Sequence, residues 1–205
     1  VGDFPQSALC DLVNLTTMSI AGNQVTGQLP QCLCGLSRLQ SLNIARNRLH
    51  GGFPQCIQNL VNLEFLDVGS NANMSDANLE LLSPLKQLTN LSVQNMALSG
   101  PIPECLCGLT RLVNLFLKNN SLSNEIPVCV CDLVNLRLLD VGYNHLNGNI
   151  PSCIGQLQQL ETIGMESNKL TGGVPGEGGL CDILGPNEIS RRNNSPLGAL
   201  PGRLG

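Results

Sequence analysis

Aromatic residues make up 2% of this 205-residue chain, with no tryptophan, one tyrosine and four phenylalanines. That scarcity argues against a module that captures sugars or bases by ring stacking. It also leaves core formation to aliphatic side chains. A basic excess is missing too, since 11 Lys and Arg stand against 15 Asp and Glu. Without a positive stripe, no nucleic-acid partner is expected. Apolar runs stay at a few residues, so no membrane span is expected. The chain opens at Val1 with neither an initiating Met nor a signal-like segment, and a processed or trimmed product is the expectation.

Leucine, by contrast, is everywhere and in order. Leu12, Leu36, Leu60, Leu85, Leu109, Leu133 and Leu157 follow one another at steps of 24, 24, 25, 24, 24 and 24 residues. A fixed period in this range means one supersecondary unit stacked on its own copies, because a single unit cannot bury its apolar side alone. The unit that starts at Leu133 reads LVNLRLLDVGYNHLNGNIPSCIGQ, with apolar residues at its positions 1, 4, 7, 9, 14, 18 and 22 and asparagine at position 12. This text resembles the 24-residue, plant-type leucine-rich repeat.

The resemblance implies an α/β leucine-rich-repeat solenoid that is mostly β in its regular structure. The alternation of Leu39, Leu42 and Ile44 with polar residues reads as a half-buried strand. Seven such strands would form a parallel sheet roughly 34 Å long on the concave side. Asn23, Asn47, Asn71, Asn120, Asn144 and Asn168 fall where the chain turns inward and can satisfy buried backbone groups, while the fourth copy has Met96 there. The prolines at 30, 54, 103, 127, 151 and 175 start the convex return, where short 3₁₀ or irregular pieces are expected. The third copy carries one extra residue in ANMSDANLELLS, and Leu79, Leu81 and Leu82 suggest a helical turn. It reads either as an insertion absorbed on the outer face or as a functional bulge. Residues 1–182 are assigned to the solenoid, a partial first coil plus seven coils, and residues 183–205 to a degenerate terminal coil or tail in which Asn194, Gly198, Leu200 and Pro201 echo the repeat.

Ten cysteines lie on the same ruler. Cys10 to Cys32, Cys34 to Cys56, Cys107 to Cys129 and Cys131 to Cys153 are each 22 residues apart. That step lands on the next coil with a small sideways offset, within reach of a disulfide. Four inter-coil bridges are therefore predicted, each closing a loop worth about 3 kcal/mol. Cys105 and Cys181 lack mates at this spacing, having Ser83 and Arg203 in the partner places, so each is expected as a free or intermolecular thiol. Zinc is the competing reading of the Cys-x-Cys pairs, but no histidine sits nearby to complete a site, and no metal or cofactor is assigned. Disulfides place the protein in an oxidising compartment, secreted or on a cell surface. Sequons at Asn14, Asn73, Asn90, Asn119 and Asn193 are candidate glycosylation sites.

No enzyme is expected. His50 and His145 fall on coils four apart, roughly 19 Å by strand spacing, and are read as exposed turn residues. Asp67 and Asp140 are separated by three coils, too far for paired-carboxylate chemistry. What remains is surface. Phe65, Asp67, Phe116, Lys118, Leu138 and Asp140 fall at solvent-facing positions of the inner strands, among Thr17, Ser19, Asn43, Ser92, Gln94, Asn114 and Glu166. The apolar members read either as partner contacts or as scattered surface residues. The plant-type resemblance implies receptor ectodomains or polygalacturonase-inhibitor-like proteins, which bind protein or peptide on the inner sheet. Those relatives carry an N-terminal cap with paired cysteines and a tryptophan, which this chain lacks. The repeat cysteines in QCLCGL, ECLCGL and VCVCDL look more like the cyst wall proteins of encysting protists such as diplomonads. The first expectation is thus a structural component of a cell or cyst wall or extracellular fibre, assembled through other protein chains and extracellular glycan. A recognition module binding a protein or peptide on its concave face is the alternative.

Overall fold

The computed structural model describes residues 2–4, 9 and 11–171. Seven three-residue strands form one parallel sheet in chain order: Thr17–Ser19, Ser41–Asn43, Phe65–Asp67, Asn90–Ser92, Asn114–Phe116, Leu138–Asp140 and Thr162–Gly164. Every strand keeps register with its counterpart one repeat on, so Leu42 faces Leu66 and Leu115 faces Leu139. The extra residue of the third coil does not disturb this pairing, because Leu66 still faces Leu91. It is absorbed outside the sheet, where no ladder has to be kept.

The middle residue of each strand points into the core and the two flanking residues line the concave face, as period-2 geometry requires. Behind the sheet, leucines from successive coils stack into a continuous column in which Leu36, Leu60, Leu85 and Leu109 are fully buried. Each contributes on the order of 1.5–3 kcal/mol relative to an exposed side chain.

On the convex side, 3₁₀ helices span Gln31–Gly35, Gln55–Asn59, Glu104–Gly108, Val128–Asp132 and Ser152–Gln156. Each follows a proline, whose carbonyl accepts the amide three residues later, as in Leu33 to Pro30. Proline suits that place because its fixed φ starts the turn and its missing N–H has no partner to lose. The third coil has no such proline. Its helix Leu79–Leu82 is instead capped by Asn78, whose side chain accepts the Glu80 amide at 2.9 Å.

A second, lateral sheet has no counterpart in the sequence reading. Ser99–Pro101, Ser121–Glu125 and His145–Asn147 pair in parallel. Val25–Thr26 pairs with Gly2–Asp3, and single bridges join His50 to Asn73 and Asn149 to Thr171. His145 therefore sits in a strand of the lateral sheet and His50 in a single bridge, both exposed, and not on turns as expected. The signal was the polar-Leu-polar pattern around Leu122 and Leu146, too short to read against the dominant 24-residue period.

The asparagine column works as a cross-brace. Asn144 donates to the carbonyls of Leu117 on the preceding coil and of Val141 on its own, and accepts the Leu122 amide at 3.0 Å. Asn47, Asn71, Asn120 and Asn168 repeat this pattern. At the fourth coil, buried Met96 takes the place. The amide it would have to serve, that of Met74, is already bonded to the Asn71 carbonyl in the third coil's own turn. The Asn-to-Met departure and the inserted third coil are thus two sides of one local solution.

Candidate binding face

The inner sheet presents two rows of side chains. One runs Thr17, Ser41, Phe65, Asn90, Asn114, Leu138 and Thr162, the other Ser19, Asn43, Asp67, Ser92, Phe116, Asp140 and Gly164. Phe65 and Leu138 share the first row but lie three strands apart, and Phe116 lies in the second. The three do not form one apolar patch. They are also half-buried where the sequence suggested exposure, because in-register neighbours stand only ~4.8 Å away and cover their flanks. Among the described residues the most exposed large apolar ones are elsewhere: Val128 at 70%, Val134 at 60% and Val13 at 53%. On the concave rim the exposed one is Tyr143, which sequence reasoning did not single out.

Asp67 and Asp140 are partly engaged by their own backbone. Their Oδ1 atoms accept the amides of Gly69 at 3.0 Å and Gly142 at 3.1 Å, and Asn43 does the same with Ala45. These side chains hold the turn that leaves the strand. The next positions confirm how tight that turn is. Arg46, Ser70, Asn95, Asn119, Tyr143 and Ser167 all have φ between 52° and 58°, the left-handed region that costs a non-glycine residue energy.

Lys118 and Asp140 do come together, with a third member in Glu166. The Lys118 Nζ lies 2.7 Å from Glu166 Oε1 and 3.5 Å from Asp140 Oδ2, and 5.2 Å from the centre of the Tyr143 ring. Three successive coils thereby converge on one ammonium. Two glycines make the space. A Cβ on Gly164 would stand 2.5 Å from Asp140 Oδ1, and one on Gly142 would stand 2.8 Å from the Glu166 carboxyl carbon. The hydrogen bond to Glu166 raises Lys118 above its ordinary value. Burial pushes the Asp140 carboxyl up, against the pull of the Gly142 amide and Lys118. Burial works upward on Glu166 as well, but the Lys118 hydrogen bond and the nearby charge hold it below the usual carboxylate range. The two carboxylates are therefore unlike: Glu166 is the ionised anchor of Lys118, and Asp140 the weaker second partner.

The cluster is one of fixed charge. No nucleophile with a base and an orienting group assembles there, and among the described residues no group of three or more His, Cys, Asp or Glu is arranged to hold a metal ion. A shallow hollow at the other end of the face is lined by Ala21, Gly22, Asn43, Ala45, Arg46 and Asp67.

On the convex side, disulfides join Cys34 to Cys56, Cys107 to Cys129 and Cys131 to Cys153, each across 22 residues, with Cα separations of 5.6–5.9 Å. Cys32 is disulfide-bonded, and its expected mate Cys10 lies outside the described residues. Cys105 is a free thiol whose acidity is reduced by burial and by the Glu80 carboxylate. Cys181, Asn193 and the terminal coil also lie outside the described residues. Of the remaining sequons, Asn14, Asn73 and Asn119 are exposed, whereas Asn90 sits half-buried in an inner strand. No helix is long and apolar enough to cross a membrane among the described residues.

A stack of parallel-strand coils with a polar, charge-bearing inner face defines a repeat scaffold, and sequence comparison gives the same class. A profile described as leucine rich repeat matches residues 13–72, and a second one matches residues 135–157. The chain is a leucine-rich repeat protein. Among solved structures it is similar to the Arabidopsis receptor kinase HAESA, captured with the peptide hormone IDA and the co-receptor SERK1. The identity is 31% over 85% of this chain and 29% of that one, with a TM-score of 0.79. It is similar to PEPR1 in the PEPR1–AtPEP1 structure, at 29% identity over 98% of this chain and 31% of that one, TM-score 0.73. A leucine-rich repeat protein of Leptospira interrogans matches at 26% identity over 92% of this chain and 50% of that one, TM-score 0.70. The chain spans under a third of the length of the first two. No curated protein sequence matches it significantly.

Proposed function

We propose that the chain is an extracellular recognition module that binds a peptide or protein segment on its concave inner sheet. The carrying observation is the 31% identity and TM-score of 0.79 with a receptor kinase whose structure holds a peptide hormone. The geometry supports the same reading. A flat row of strands offers shape and hydrogen-bonding side chains to an extended ligand, and the face carries half-buried apolar groups beside fixed charges. Phe65, Asp67, Phe116, Lys118, Leu138 and Asp140 are the proposed contacts, with Tyr143 and Glu166 added from the structure. The disulfides support an extracellular setting, in which Asn14, Asn73 and Asn119 are the sequons best placed to carry glycan. The wall or fibre role expected from the cyst-wall resemblance draws no support from these relatives, and neither does a glycan partner.

Selection of a random peptide library against the folded, oxidised chain tests the reading. Selected peptides should lose at least about tenfold in affinity with Phe116→Ala or Tyr143→Ala, since such central aromatic contacts are worth about 1.4 kcal/mol or more. They should be indifferent to Val128→Ala in the convex 3₁₀ helix, where the side chain is 70% exposed. Peptides that ignore the concave substitutions would sink the proposal.

A further inference from the structure

Four kinds of link can tie one coil to the next: the inner sheet, a convex disulfide, an asparagine side chain and the lateral ladder. All four join the fifth coil to the sixth. Leu115 faces Leu139, Cys131 is bonded to Cys153, Asn144 reaches Leu117 and Leu122, and Ser123 faces His145. Between the third and fourth coils three of the four are missing. Ser83 stands where the mate of Cys105 would be, and Cys105 is free. Met96 stands where the asparagine would be. Ser99–Pro101 is an edge of the lateral sheet, and among the described residues no ladder bond reaches it from the third coil. Pro101 itself lacks the N–H that would extend such a ladder.

Two further observations fall at the same junction. A cavity of about 230 Å³ opens between the coils, lined by Ala77 and Leu79 on one side and by Leu98, Pro101 and Pro103 on the other. The Ser92 hydroxyl, on the inner strand just past the junction, is buried without a hydrogen-bond partner. An open pocket across which the two coils do not touch and an unmet polar group both lower the cost of separating the surfaces that meet there.

We infer that the junction between the third and fourth coils is a hinge, about which two braced halves of the solenoid open and close. In a repeat array, stability is a sum over nearest-neighbour interfaces, so the junction with fewest links opens first. The candidate face divides at this line: Phe65 and Asp67 belong to the first half, Phe116, Lys118, Leu138 and Asp140 to the second. Resting on the recognition reading, a ligand touching both halves would fix the hinge angle.

Native-state hydrogen exchange tests the hinge without any ligand, so its failure is distinct from failure of the recognition reading. The amides of Val68, Ser70, Thr89 and Asn90 bond across the third junction, and those of Leu117, Asn119, Arg137 and Leu138 occupy the same places across the fifth. The first set should exchange at least about tenfold faster. Equal protection of the two sets overturns the proposal. Ser83→Cys supplies the missing mate for Cys105, and once oxidised it should slow the first set towards the second while Ser83→Ala does not. Fast exchange persisting in the bridged chain would place the opening elsewhere and overturn the proposal as well.

Discussion

The fifth and sixth coils and the third and fourth share the same inner strand register and the same buried leucines, yet they are joined very differently. Leu139 and Leu91 occupy equivalent places, each fully enclosed, but the coil of Leu139 is tied to the coil before it by a disulfide, a bridging asparagine and a lateral strand, and the coil of Leu91 is tied to the coil before it by none of them. The lesson is that a repeat period specifies where a coil goes, whereas the links between coils specify how firmly it is held. Burial of leucine is uniform along the array and so cannot by itself create a weak point. Directional bonds, which need a particular residue at a particular place, can.

The largest effect should come from exchanging the two solutions to the inward turn. Asn144→Ala strands the buried Leu122 amide and leaves the Leu117 and Val141 carbonyls short of a donor, an expected loss of about 3 kcal/mol in urea unfolding. Met96→Asn restores the repeat consensus yet should gain nothing. The Met74 amide is already satisfied, so the new carbonyl oxygen would be buried without a donor, at an expected cost of about 1–3 kcal/mol. A stabilised Met96→Asn would show that the third coil re-forms a standard turn and that the two junctions are built alike.

A smaller effect is expected at the charged cluster, which lies wholly on the C-terminal side of the weak junction. Glu166 is held below its ordinary value of 4.5 in the folded chain, so its contribution is present above that pH and fades as pH falls through the lower folded value. Asp140 is raised from 3.8, so it opposes folding once ionised and gives that stability back as pH falls. The two trends oppose each other and make the wild-type acid limb shallow. Glu166→Gln removes the first and also lifts part of the upward push on Asp140, to which the Glu166 charge contributes. Its stability deficit relative to wild type should be full above pH 5 and shrink steadily below about 4.5, measured by denaturant midpoints along a pH series. A deficit independent of pH would mean that the carboxylate acts by shape alone.

The smallest effect compares one substitution at two places. Ser70 and Ser167 both hold left-handed backbone, so glycine should relieve about 1 kcal/mol at either site. At Ser70 the gain should be smaller, because its hydroxyl accepts the Asn95 side chain at 3.3 Å, one of the few side-chain bonds that cross the weak junction. Equal shifts in melting temperature would show that this bond contributes nothing to holding the junction.

Much of this was legible in the chain. The 24-residue step gave the solenoid, the inner strands and the convex 3₁₀ turns, and a 22-residue step pointed to Cys34 with Cys56, Cys107 with Cys129 and Cys131 with Cys153. Periodic features survive translation from sequence to structure because each coil sees the same neighbours. The lateral sheet was missed because three residues around Leu122 or Leu146 are too few to show a period of their own. The concave cluster was missed in part for a different reason. Lys118, Asp140 and Glu166 lie on three coils, and nothing along the chain says which long side chains will lean towards one another. Tyr143 carries no signal of its own in the repeat, and its ring meets the Lys118 ammonium only in the fold.

The sequence by itself determined the architecture, because hydrophobic burial and strand register depend only on residue type at a repeating position. It also exposed the interruption, as a serine, a methionine and an extra residue that break the pattern within 25 positions. Only the tertiary structure decided what those breaks amount to, by bringing Ser83, Met96, Ser99 and the buried Ser92 hydroxyl to one junction. It alone decided which charges meet on the inner face. Links across coils are short, directional contacts between residues far apart in sequence, and their strength is fixed by distances that the linear order does not contain.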